Sequence, residues 1–151
     1  LVFSAVDINY LMENILSFAN VQAQIKNNKI QVEREFVSGL AHIKADGMQL
    51  REAILNLVIN AIQSMPEGGK LAIFTNTDQK AVRIEIVDTG MGMSKEAQAN
   101  LFSPFFTTKS RGLGLGLCIT KTIIQEHLGS IQVFSELGRG TTFIVSLPFS
   151  Q

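Results

Sequence analysis

Asp88-Thr-Gly-Met-Gly-Met93 is the stretch on which the reading of this chain turns. Ahead of it the alternation Val82, Ile84, Ile86 predicts a strand that delivers Asp88 at its end. A carboxylate placed there accepts hydrogen bonds, and the glycines beside it let a flat ring approach the backbone. Alone, an Asp-x-Gly-x-Gly run is weak. Three further segments accompany it in order: Asn56-Leu-Val-Ile-Asn60-Ala61, Pro104-Phe-Phe-Thr-Thr-Lys109 and Gly112-Leu-Gly-Leu-Gly-Leu117. Together the four point to a nucleotide site.

The rest of the chain bounds that reading. Its 151 residues suffice for one domain with a real core, and 46% hydrophobic with 17% charged residues fits a folded domain rather than a disordered one. Lys+Arg and Asp+Glu number 13 each, so nothing in the charge calls for nucleic acid or an anionic membrane surface. Cys118 has no second cysteine to pair with, which suits a reducing, cytoplasmic setting. No apolar run reaches the ~20 residues that span a bilayer. The first residue is Leu1, so we expect a piece of a longer protein.

Local patterns predict an α+β domain, with helices on one face of a mixed sheet. Asp7 caps a helix whose apolar face is Ile8, Leu11, Met12, Ile15, Leu16 and Ala19, running to about Lys26. Residues 29–37 and 40–44 read as two strands joined by a Ser38-Gly39 hairpin turn. A long helix follows from Asp46 to Met65, closed by Pro66-Glu-Gly-Gly69. Residues 70–77 and 81–87 form a hairpin, Ser94 opens a short helical turn, and a helix starts within the glycine run and ends near Leu128-Gly129. In that helix Ile119, Ile123, Ile124 and Leu128 are expected to pack inward. Residues 130–135 and 141–147 flank the turn Gly138-Arg-Gly140.

The Asp46–Met65 helix is apolar around most of its circumference, leaving a narrow stripe of Glu52, Asn56, Asn60 and Gln63. Asparagine is a mediocre helix former. Two amide oxygens at i, i+4 either line a pocket, where both can face one hard cation such as Mg²⁺, or belong to asparagines that are merely exposed or bridge to the core. The glycine run is neither Gly-x-Gly-x-x-Gly nor a P-loop. At a helix start its backbone N–H groups suit phosphate; the alternative is a hinge between loop and helix. Lys109 and Arg111 either meet phosphate oxygens or are solvated loop charges. Phe102, Phe105 and Phe106 either anchor a lid or dock a partner.

These segments resemble the catalytic and ATP-binding domain of bacterial sensor histidine kinases, within the GHKL ATPase superfamily. The N box resembles residues 52–61, the first glycine box 88–93, the F box 101–109, the second glycine box 112–117, and the last Gly138-Arg-Gly-Thr-Thr-Phe143. Its short lid, 107–111, is similar to that of nitrogen-regulation and PAS-linked kinases. The resemblance implies a Bergerat α/β sandwich, a mixed, mostly antiparallel sheet backed by three helices. It implies ATP and Mg²⁺, with Asn60 on the metal and Asn56 assisting. Asp88 would accept the adenine amine, with Thr141 behind it and Gly90, Gly92 and Met93 lining the base pocket. Phe106, with Thr107, Lys109 and Arg111 of the lid, would also bind the nucleotide. The backbone of Gly112, Leu113, Gly114, Leu115, Gly116 and Leu117 would meet the phosphates. Catalytic roles fall to Asn56, Asn60, Lys109 and Arg111.

The implied partners are a dimerising, phosphoacceptor helical domain and a response regulator receiver domain, with no nucleic acid and no membrane contact from this domain. The acceptor helices are absent here: neither His42, expected in a strand, nor His127, expected as a cation at a helix end, has the acidic neighbour and following proline of an acceptor. Gln63 stands where many relatives carry a basic residue, Leu113 where threonine is common, and Leu128 in a His-Gly-Gly-like turn. Glu52 lies one turn before the position of the general base in other GHKL ATPases, which is Asn56 here, and an amide takes no proton from water. That favours a kinase over a hydrolase. Two other readings remain: an anti-sigma serine kinase or chaperone-like ATPase, and a non-catalytic nucleotide sensor.

Overall fold

The computed structural model describes residues 1–104 and 116–149. In chain order they form β1 (Ser4–Val6), α1 (Ile8–Ser17), α2 (Ala19–Asn28), β2 (Ile30–Phe36), β3 (Ile43–Ala45), α3 (Gly47–Gln63), β4 (Gly69–Thr77), β5 (Ala81–Asp88), α4 (Lys95–Ala99), α5 (Gly116–Glu126), β6 (Ser130–Glu136) and β7 (Gly140–Pro148). The main sheet has five strands in the order β2-β4-β5-β7-β6. Only β2 and β4 run parallel; the other pairs are antiparallel. This is the mixed, mostly antiparallel α+β sheet expected.

Caps start the helices where the sequence placed them. Asp7 accepts a hydrogen bond from Tyr10 N (3.0 Å), Asp46 from Gln49 N (3.1 Å) and Ser94 from Ala97 N (3.1 Å). The β4–β5 turn is closed by Asp78 Oδ1, which accepts from Lys80 N (2.7 Å) and Ala81 N (2.9 Å). Alternation along β4, β5 and β7 buries Leu71, Ile73, Val82, Ile84, Ile86, Phe143, Val145 and Leu147 against Leu50, Ile54, Leu57, Val58, Ala61 and Ile62 of α3. Each such side chain, Ala61 apart, stabilises the fold by roughly 1.5–3 kcal/mol. Among the described residues no helix is long and apolar enough to cross a membrane.

Four expectations are corrected. The first helix is two helices, broken at Phe18 (ψ 131°). On an unbroken helix Val21 and Ile25 would lie about 110–150° from the centre of the face of Ile8 to Leu16. The break resets that phase, burying Val21 and leaving Ala19 exposed.

The Ser38-Gly39 hairpin does not form. β2 pairs with β4, and β3 pairs with β1, a strand the sequence reading missed. His42 precedes β3 and is exposed, 3.8 Å from Asp7 Oδ2.

On α5 the inward stripe is Thr120, Ile123, Ile124 and His127, an i, i+3, i+4, i+7 set. Ile119 falls off that stripe. Leu128 lies past the helix end at φ 58°, its side chain exposed.

His127 is fully buried rather than a solvated cation. Asp46 N donates to its Nε2 (3.0 Å), so Nε2 is bare, and Nδ1 lies 2.8 Å from the Ile123 carbonyl, which only accepts. That is a neutral imidazole with its proton on Nδ1. It ties the end of α5 to the start of α3.

Candidate nucleotide site

Four strands place one row of side chains on the helix-facing side of the sheet. Ser135 on β6 pairs with Thr141 on β7, Thr141 with Asp88 on β5, and Asp88 with Leu71 on β4. Directly opposed residues share a face, with Cβ atoms ~5 Å apart. Asp88 is 3% exposed and Thr141 6%. A carboxylate so buried needs oriented donors. Gly90 N supplies one, donating to Asp88 Oδ1 at 2.8 Å, and this turns the chain sharply after β5.

The loop after Asp88 is clamped from two sides. On the α3 side Met91 N donates to Ser64 O (3.2 Å), and a Cβ at Gly90 would collide with Ser64. On the hairpin side Gly138 N donates to Met91 O (2.7 Å), and Met93 N donates to Ser135 Oγ (2.8 Å). Gly92 has φ 70°, and a Cβ there would strike the Glu136 carbonyl oxygen. The sequence reading assigned these glycines to the approach of a flat ring. Their immediate requirement is the close approach of the protein's own backbone. Gln98 completes the clamp, its Nε2 donating to Met93 O (3.0 Å) and Ser135 O (3.1 Å).

At the other end, Asn56, Asn60 and Ser64 succeed one another at four-residue spacing along one face of α3. Asn56 Nδ2 donates to the carbonyl of Gly116, the first residue of α5, at 3.2 Å. A carbonyl only accepts, which fixes the amide's orientation and turns Oδ1 the other way. Thr120 Oγ1 lies 3.1 Å from Ala53 O and 2.9 Å from Gly116 O, so one hydroxyl ties α5 to α3 from inside. Leu117 packs against the core beside it. The first turn of α5 therefore sits against Asn56 of the asparagine stripe. Glu52 and Gln63 are exposed.

The structure thus brings Asp88, Gly90, Gly92, Met93 and Thr141 together at the sheet end, and Asn56, Gly116 and Leu117 at the α3–α5 junction, with Asn60 one turn further along α3. Phe106, Thr107, Lys109, Arg111, Gly112, Leu113, Gly114 and Leu115 lie outside the described residues. The sequence reading missed Ser64, Gln98, Thr120 and Ser135. Two of these had a signal. Ser135 takes the third inward position of Ile131, Val133, Ser135, and Thr120 interrupts the apolar stripe of α5. Among the described residues no three His, Cys, Asp or Glu side chains gather as metal ligands. The donors in the cleft are amide and hydroxyl oxygens, which suit a hard cation that also holds phosphate and water.

Residues 45–151 match the family described as histidine kinase-, DNA gyrase B-, and HSP90-like ATPase. Sporulation kinase E of Bacillus subtilis is 37% identical over 145 residues, which is 95% of this chain and 19% of that protein. Sensor histidine kinase ZraS of Escherichia coli is 35% identical over 148 residues, 98% of this chain and 31% of that protein. The chain thus spans only a fifth to a third of these relatives. Among solved structures, the nucleotide-free catalytic domain of histidine kinase ThkA superposes with a TM-score of 0.88 at 30% identity, covering 99% of this chain and 97% of that one. The same kinase in complex with response regulator protein TrrA gives 0.82 at 29% identity, covering 97% of this chain and 42% of that one.

Proposed function

This chain belongs to the histidine kinase-, DNA gyrase B-, and HSP90-like ATPase family, as a catalytic domain of the sensor histidine kinase kind, and from that premise we propose that its cleft holds Mg²⁺-ATP for transfer of the γ-phosphoryl to a histidine on a separate helical domain. One observation carries the assignment of residues: a buried carboxylate, Asp88, faces the same side of the sheet as Thr141, while the start of α5 meets the Asn56 amide, one helical turn from Asn60. Asp88 accepts the adenine amine, and Met93 and Gly92 form the wall beside it. The phosphates run toward the first turn of α5, where Gly116 and Leu117 present backbone N–H groups. Lys109 and Arg111 supply the countercharge from the preceding segment.

Asn60, with Asn56 beside it, would hold Mg²⁺ through amide oxygen. The ion, when bound, neutralises charge on the phosphate oxygens. Phosphoryl transfer asks a protein mainly to position and neutralise, so no general base need stand in the cleft. Asn56 cannot remove a proton from water, which supports transfer over hydrolysis. The ThkA–TrrA complex supports a response regulator as the eventual receiver.

The test is chemical. The domain is mixed with Mg²⁺-ATP and a separately prepared dimerising helical hairpin bearing an acceptor histidine. The expected product is acid-labile and base-stable phosphohistidine on the hairpin. An acid-stable phosphoserine would support the serine-kinase reading, and nucleotide binding without transfer would support a sensor module.

A further inference from the structure

The hydroxyl of Ser135 has a full set of partners. Met93 N donates to its oxygen (2.8 Å), it donates to Gly140 O (3.0 Å), and Thr141 Oγ1 lies 2.8 Å away. A serine hydroxyl has one proton and two lone pairs. Gly140 O is a carbonyl and can only accept, so the Ser135 proton goes there. The Met93 N–H fills one lone pair. The contact with Thr141 then requires the Thr141 proton, donated into the second lone pair. Thr141 is left with lone pairs alone for anything else.

The next side chain along the row is Asp88, whose carboxylate also only accepts. Two adjacent acceptors welcome a ligand edge that carries N–H donors. They repel a carbonyl oxygen set in the position of such a donor. We propose that Ser135 is a specificity-determining positioning residue: by holding the Thr141 proton away from the cleft, it makes the base site select a 6-amino purine over a 6-oxo purine. The proposal rests on the ATP reading above and deepens it.

Gln98 allows this role to be separated from a structural one. Its Nε2 holds the Met93 and Ser135 carbonyls together without help from the Ser135 hydroxyl. Removing that hydroxyl therefore leaves the loop tethered. It frees the Thr141 proton to turn and donate to a 6-oxo group.

The experiment compares the affinities of ATP and ITP by calorimetry, both with Mg²⁺. The wild-type chain is expected to prefer ATP. In Ser135→Ala the ATP:ITP affinity ratio should fall roughly tenfold, the worth of one mismatched hydrogen bond, with little change in Tm. Where Ala fails to fold, Ser135→Cys, a weak donor and acceptor, should shift the ratio in the same direction. In a Thr141→Val background, Ser135→Ala should no longer alter the ratio. An unchanged ratio in a variant that still binds ATP overturns the role of Ser135, as does an equal change in the Thr141→Val background. Wild-type protein that binds neither nucleotide overturns the ATP reading itself, and this inference with it.

Discussion

The two ends of the cleft are built differently. At the purine end, the loop from Thr89 to Met93 is fastened to α3 through Ser64, to α4 through Gln98, and to the β6–β7 hairpin through Ser135 and Gly138. At the phosphate end, among the described residues, the start of α5 meets α3 through one outward amide at Asn56 and one buried hydroxyl at Thr120. Recognition of a rigid base rewards a wall fixed in advance, because nothing then has to be ordered on binding. Phosphoryl transfer involves groups whose charge and position change, and a cleft that admits and releases them cannot be stapled as tightly.

That contrast sorts the expected effects of mutation. The largest falls on the purine end. Asp88→Asn keeps the shape but replaces an acceptor by an amide that can turn donors toward the adenine amine. ATP affinity should drop roughly a hundredfold, with Tm close to wild type. Next is Gly92→Ala, which forces a Cβ onto the Glu136 carbonyl at φ 70°. It should cost about 2–3 kcal/mol of stability, read as a lowered urea midpoint, because the loop cannot yield without breaking its clamps. An unchanged midpoint would mean that the purine wall is not fixed in advance.

Smaller changes belong to the other end. Asn60→Ala should weaken ATP binding about tenfold with Mg²⁺ present and leave it unaltered in EDTA. The same loss in both conditions would remove Asn60 from the metal. Asn56→Ala gives up a single contact at the cleft surface, so stability should move by no more than about 0.5 kcal/mol. A loss as large as that of Gly92→Ala would erase the contrast between the two ends.

The same division explains what could be read from the chain. Strands β4, β5 and β7, α3 and the capping residues Asp7, Asp46 and Ser94 were legible, because each depends on local periodicity or on hydrogen bonds within a few residues. Asp88 and Thr141 were legible as motif members. The errors came where distant partners decide. Ser38-Gly39 has the composition of a hairpin turn, yet β2 finds β4 and β3 finds β1. His127 looked like a cation at a helix end until the Asp46 N–H, far away in sequence, arrived at its Nε2. The phase break at Phe18 was detectable, since Val21 and Ile25 do not share the face of Ile8 to Leu16. Gln98 was not, because the carbonyls it holds belong to a loop and to a strand, and its residue type is ordinary on an exposed surface.

The glycines teach a related point. Gly90 and Gly92 stood out correctly, but for a reason the sequence could not separate from ligand contact. The atoms they approach are those of Ser64 and Glu136. A glycine reports that something comes close, without reporting what.

The central claim is that a buried aspartate reads the purine at the fixed end of the cleft. Calorimetric titration of wild-type and Asp88→Asn protein with Mg²⁺ and a non-hydrolysable ATP analogue tests it most directly. Saturable one-site binding by the wild type and its loss in an equally stable Asp88→Asn protein is the result expected. Equal affinity in the two proteins would contradict it.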